Sequence, residues 1–171
     1  LMEFFKPKTV NLRIQAMNKY LDYLNLHSLR LKAVRIQQKS FLENVISNAD
    51  YEFLKESLRK EGNDDWYFVV WFLAATGARV SELIQIKAEH VQAGYIDLYS
   101  KGGKLRRLYI PRKLQREALD WLCGKGQTSG YIFTNKHGAR ITSRGISQQL
   151  KNYAMKYGID VKVVYPHSFR H

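Results

Sequence analysis

Apolar residues recur along the chain in two rhythms, and the places where the rhythm changes mark out its parts. Val10, Ile14, Met17, Leu21 and Leu24 keep the three-to-four-residue spacing of one helical face, which predicts a helix over residues 9–26 with Thr9 as its cap. Residues 27–40 lose that spacing. They carry His27, Arg30, Lys32, Arg35 and Lys39 with no acid, and read as a linker that either lies along a nucleic-acid backbone or is simply solvated. A new unit begins near Phe41. Ser47 or Asn48 caps a helix containing Tyr51, Phe53, Leu54 and Leu58, which Gly62 and Asn63 break. Trp66 to Ala75 is apolar nearly all round, as expected of a central buried helix, and Gly77 suits the residue after its end. A further helix carries Val80, Leu83, Ile84 and Ile86.

The rhythm then shifts to that of strands. Tyr95–Ser100 and Leu105–Ile110 read as a hairpin turning at Lys101-Gly-Gly-Lys104, and Tyr131–Phe133 as a short third strand. Between them lies a helix that starts at Pro111, faces inward through Leu114, Ala118, Trp121 and Leu122, and ends at Gly124. Thr142 or Ser143 caps a last long helix with Ile146, Leu150, Tyr153, Ala154 and Tyr157 inward, closed by Gly158. The expected class is α+β, mainly α, with a small three-stranded antiparallel sheet. The expected organisation is a terminal helix of a preceding domain over 1–28, a linker over 29–40 and a second domain over 41–171.

Charge sharpens this picture. The chain of 171 residues carries a formal +13, and the excess is localised: residues 1–100 hold 13 basic and 12 acidic residues, residues 101–171 hold 15 and 3. A basic surface confined to one region suits a phosphate-backbone binder, and equally a solvated face. The single cysteine, Cys123, leaves no internal disulfide and no multi-thiolate metal site, and its helical position reads as a small buried hydrophobe. With no signal peptide and no apolar run long enough for a membrane span, the expected setting is a reducing cytoplasm.

Three clusters can carry chemistry. In Gly77-Ala-Arg79-Val-Ser-Glu82-Leu83, Arg79 follows a helix-ending glycine and opens the next helix, with Glu82 on its face to orient the guanidinium. That suits either a phosphate oxygen or a plain surface ion pair. Around the hairpin tip, residues 101–116 hold seven Lys and Arg and no acid. A lysine there can protonate a leaving oxygen, and the same turn can be basic only for solubility. At the end, Pro166-His167-Ser-Phe-Arg170-His171 sets His and Arg three apart, on one side of a helix.

Taken in order, helix-Arg, hairpin Lys, helix, short strand, helix and His-x-x-Arg, the clusters resemble the catalytic domain of the tyrosine recombinase (phage integrase) family. The resemblance covers about residues 41–171, and the helix at 9–26 resembles the last helix of that family's core-binding domain. Its strongest stretch is Ala75-Thr-Gly-Ala-Arg-Val-Ser-Glu-Leu83. The resemblance implies catalytic roles for Arg79, Lys101, His167 and Arg170, with support from Glu82 and His171; Lys101 fits the lysine position better than Lys104. Lys104, Arg106, Arg107, Arg140 and Arg144 are the expected further DNA contacts.

The chemistry so implied needs no metal, cofactor or ATP. A tyrosine attacks a DNA phosphodiester, a 3′-phosphotyrosine bond forms, and the bond to the 5′-oxygen breaks. Arg79 and Arg170 hold the non-bridging oxygens, with a hydrogen bond from His167, while Lys101 protonates the departing oxygen. Implied partners are double-stranded DNA and further recombinase protomers in a synaptic complex, in a bacterial or phage-encoded mobile-element setting. The family places its tyrosine beyond His-x-x-Arg. None follows His171 here, Tyr165 lies on the wrong side of the motif, and the remaining tyrosines read as packing residues. These residues are therefore expected to bind DNA without cleaving it. A type IB topoisomerase and a non-catalytic DNA-binding module are the alternatives.

Overall fold

The computed structural model describes residues 5–36, 44–99 and 105–170, and the chain divides into two compact units, Leu1–Leu42 and Glu43–His171. The first unit holds one helix, α1 (Pro7–Tyr23), followed by a 3-10 turn at His27–Leu29. The helix begins before the expected Thr9, because Pro7 can take the first helical position, where its missing N–H leaves no bond unmade. Val10 is buried, Ile14 and Leu21 are half-buried, and Met17 and Leu24 are exposed. The segment expected as a linker is tied back onto α1 where it is described. The side-chain amide of Asn18 accepts from the N–H of Leu31 (2.8 Å) and donates to its carbonyl (2.9 Å). Asn11 does the same for Val34, at 2.7 and 2.9 Å.

The second unit is built on one helix. α2 (Asn48–Lys60) starts where Ser47 accepts a hydrogen bond from the N–H of Asp50, and it leads into α3 (Asp64–Thr76). α3 buries Tyr67, Phe68, Val69, Val70, Phe72 and Leu73, on almost every side of its circumference. Its neighbours are α2, α6 (Arg112–Gly124) and a final 3-10 turn at Ser168–Arg170. Phe68 stacks on Trp121 of α6 at 4.5 Å between centroids, and Phe72 meets Phe133 edge-on at 5.5 Å. α4 (Val80–Leu83) and α5 (Ala88–Ala93) are short, and α7 (Ser143–Lys156) is capped by Thr142, which accepts from the N–H of Gly145. The strands β1 (Tyr95–Tyr99) and β2 (Leu105–Tyr109) pair antiparallel, with Leu98 opposite Arg106 and Asp97 opposite Arg107.

Four expectations need correction. Among the described residues the sheet has two strands, not three. Tyr131 makes an isolated bridge to Lys87, and the N–H of Ile132 donates to Ile86 (3.2 Å). Ile132 and Phe133 are consecutive and both buried, so the segment plugs the core instead of alternating as a half-exposed strand would. α5 adds a helix where the sequence shows no helical period, since only Ala88 and Val91 of its six residues are buried; the ring of His90 caps it by accepting from the N–H of Lys87 (3.1 Å). Cys123 is exposed, on the outer side of α6. Nor do all tyrosines pack: Tyr95, Tyr99 and Tyr109 point outward from the sheet, and Tyr20 and Tyr23 are exposed on α1. Among the described residues no helix is long and apolar enough to cross a membrane.

Replacing Phe72, which is fully buried, by Ala is expected to destabilise the fold by about 3–5 kcal/mol in urea unfolding. The Cys123→Ala variant, at an exposed site, is expected to stay within about 0.5 kcal/mol of the parent.

Candidate active site

The end of α3 sets up the first cluster. The hydroxyl of Thr76 donates to the carbonyl of Phe72 (2.6 Å) and accepts from the N–H of Ala78 (3.2 Å). Gly77 turns the chain with φ +60°, a left-handed conformation that glycine adopts without strain. Arg79 then takes the extended cap position of α4, with Glu82 three residues on. One carboxylate oxygen of Glu82 accepts from the backbone N–H of Arg79 (2.7 Å), the other from its guanidinium (2.7 Å). This is the acid of a capping box reaching back to the helix start, and it is the contact expected from the sequence. Glu82 is 8% exposed, whereas the side chain of Arg79 is 55% exposed, so the acid is buried under a cation that still faces solvent.

Arg106 shares that acid. Its guanidinium lies 3.2 and 3.5 Å from the two oxygens of Glu82, reaching from β2 to α4. Burial alone would raise the pKa of Glu82. The N–H and guanidinium of Arg79, with the charge of Arg106, outweigh it and hold the carboxyl below its usual range. Arg107, the next residue, faces the other way. It grips Asp97 with two hydrogen bonds of 2.7 Å and lies over the ring of Tyr95 at 4.1 Å. Those bonds lower the pKa of Asp97 and raise that of Arg107. The two neighbouring arginines expected to serve DNA alike thus occupy different environments, one on a buried acid and one in a surface ion pair.

The last cluster is anchored by its apolar and hydroxyl residues. Ser168 is buried, its hydroxyl 2.5 Å from the carbonyl of Val163 and 2.9 Å from that of Tyr165. Phe169 is buried edge-on to Tyr51 at 6.3 Å. His167 is exposed and Arg170 half-buried. With three residues per turn, the 3-10 geometry brings positions 167 and 170 to the same side. The Nε of Arg170 is buried and donates to no acceptor among the described residues. Such a group is uncommon, because an unmet buried donor costs about 1–3 kcal/mol. Ser168 and Phe169 line a small cleft with Ala74, near the end of α3 from which the Arg79 segment departs. One end of α3 therefore carries both clusters.

The other expected residues divide. Lys101, Lys104 and His171 lie outside the described residues. Arg140 lies over the ring of Tyr131 at 5.1 Å, and Arg144 is exposed in the first turn of α7. A cleft of about 540 Å³ opens between α4 and the sheet and includes Arg79, Glu82, Tyr99 and Arg106. A larger one, about 670 Å³, lies between α3 and α6, but Asp64, Asp65, Glu117 and Asp120 give it the wrong sign for a phosphate. Sequence reasoning missed the Glu82–Arg106 link. Strand alternation separates Arg106 from Arg107, but nothing in one sequence says which of them meets Glu82.

Comparison with known proteins bears on the family and the fold. The phage integrase family profile matches residues 44–171. The chain is similar to tyrosine recombinase XerA of Pyrococcus furiosus, 30% identical over 98% of this chain and 59% of that protein. It is 33% identical to tyrosine recombinase XerD of Vibrio cholerae over 98% of this chain and 60% of that protein. The chain thus spans about six tenths of the length of these curated relatives. The fold matches a crystal structure of XerA recombinase with a TM-score of 0.64 at 22% identity, covering 100% of this chain and 61% of that one. It also matches the Tn1549 transposon integrase in complex with circular intermediate DNA, with a TM-score of 0.70 at 15% identity, covering 99% and 66%.

The depressed pKa of Glu82 has a definite sign. Its stabilising contribution is full above the pKa of an unfolded glutamate and is lost as pH falls through the lower folded value. In urea unfolding from neutral to acid pH, the Glu82→Gln variant is expected to start less stable than the parent and to lose less on acidification.

Proposed function

The chain belongs to the phage integrase family of tyrosine recombinases, and from that premise we propose that it holds the scissile phosphate in site-specific recombination or integration of duplex DNA. Arg79 and Arg170 are the cations for the non-bridging oxygens, because each guanidinium stabilises charge that grows on them in the transition state. Glu82 orients Arg79, and His167 adds a hydrogen bond from the same turn as Arg170. Lys101 is the proton donor to the departing 5′-oxygen, with His171 in support. The attacking tyrosine is not among these side chains, since Tyr165 precedes the motif. Lys104, Arg140 and Arg144 extend the contact along the duplex, while the ion pair with Asp97 makes Arg107 a weaker contributor.

The observation that carries this reading is the buried Nε of Arg170, without an acceptor among the described residues, in a turn packed on α3 near Ala74, close to the end from which the Arg79 segment departs. A phosphate oxygen is the acceptor such a donor suits. The relatives support recombination over topoisomerase action, being named as recombinases and integrases. The XerH structure bound to difH substrate, whose fold this chain matches with a TM-score of 0.65 at 20% identity over 96% of this chain and 51% of that one, is itself a DNA complex.

These 171 residues are expected to bind duplex DNA with an affinity that falls steeply with salt, and to form no covalent adduct on a nicked suicide substrate. Arg170→Gln is expected to weaken binding by about tenfold or more, measured by fluorescence anisotropy at fixed salt. Salt-independent binding, or no loss in an Arg79→Gln, Arg170→Gln double variant, would sink the proposal; a covalent adduct would refute only the binding-without-cleavage part.

A further inference from the structure

We infer that Arg106 is a positioning residue, which acts through Glu82 to fix the guanidinium of Arg79 and so couples the β-hairpin to the phosphate-binding site. The inference rests on the function proposed above for Arg79. It starts from the number of donors around one acid. Arg79 engages both oxygens of Glu82, one through its backbone N–H and one through its guanidinium, each at 2.7 Å. Both bonds come from one residue, so on their own they hold Glu82 to Arg79 and to nothing beyond α4. Arg106 lies within 3.5 Å of both oxygens and comes from a different element. One guanidinium nitrogen, bridging both oxygens from β2, ties the Arg79–Glu82 pair to the sheet.

Charge points the same way. Arg79 and Glu82 together are neutral, so the acid that orients Arg79 also cancels the charge it would offer a phosphate. Arg106 restores a net positive charge to the group. The cluster borders the cleft between α4 and the sheet, and the exposed part of Arg79 is the face left for a ligand. The position of Arg106 is itself fixed. Opposite Leu98 and two residues before Leu108, both buried, it lies on the inward side of β2. A shift of β2 by one residue would turn Arg107 inward in its place. Seating of the hairpin and orientation of Arg79 are therefore one event, with Glu82 as the common contact.

The test reads Arg79 directly. In the free protein, the side-chain Nε–H resonance of Arg79 in a nitrogen-15 spectrum is expected to shift and broaden in Arg106→Gln. Duplex DNA affinity is expected to fall about tenfold, and by less than about twofold when the same change is made in a Glu82→Gln background. The Arg106→Lys variant keeps a cation that can bridge both oxygens from one nitrogen, and is expected to retain the parent thermal midpoint and to recover most of the Arg79 resonance. An unmoved Arg79 resonance in Arg106→Gln would overturn the inference. So would equal losses of affinity in both backgrounds, which would make Arg106 a direct DNA contact, or an Arg79 resonance displaced as far in Arg106→Lys as in Arg106→Gln. If the parent protein binds no duplex DNA, the proposed function fails, while the Arg79 resonance still decides the role of Arg106.

Discussion

A buried carboxylate is tolerated only when its lone pairs are met, and Glu82 meets that condition with donors from two elements. The start of α4 and the inward side of β2 converge on it. Because the acid is buried and its partners are half-exposed, the arrangement behaves as a charged pivot, with anionic centre and cationic rim. Removing any one of the three side chains leaves the other two miscounted: a buried acid short of a donor, or two guanidiniums without the charge between them.

The pivot is placed by α3. A helix apolar on nearly every side has no solvent face to set its rotation, so its neighbours must enclose it. α2, α6 and the final 3-10 turn all do so. Elements at its ends are then fixed relative to one another without touching. This is how the turn at 168–170, remote in sequence from Arg79, packs on the helix from whose end the Arg79 segment departs. The Phe72–Phe133 and Phe68–Trp121 contacts are thus parts of the site's geometry although none bears a polar group near it.

Much of this is legible in the residues alone, and the exceptions have physical causes. α2, α3, α6 and α7 are long enough for their periodicity to speak, and their caps at Ser47 and Thr142 are side chains chosen for that task. The Arg79–Glu82 contact is local, three residues apart, and so is readable. α5 is too short to show a period and is capped by an unusual residue, His90. Tyr131–Phe133 has strand-like composition, but composition does not distinguish a sheet edge from a core plug. Cys123 misleads because cysteine is usually buried, and its neighbour Leu122 takes the inward position instead. The Glu82–Arg106 contact spans 24 residues and depends on how the hairpin folds over α4. Nothing in local spacing encodes it.

The paired asparagines of the first unit carry a consequence of a different kind. Asn11 and Asn18 are seven residues apart, a helical rise of about 10.5 Å. They grip Leu31 and Val34, three residues apart, and an extended chain covers about 10 Å in that interval. The two lengths agree, so the helix acts as a gauge against which the returning segment is measured. Each amide copies a peptide group, bonding main chain to the exclusion of side chain. The gauge is therefore blind to the identity of residues 31–36 and sensitive only to their number, which leaves Lys32 and Arg35 at liberty to be chosen for charge alone.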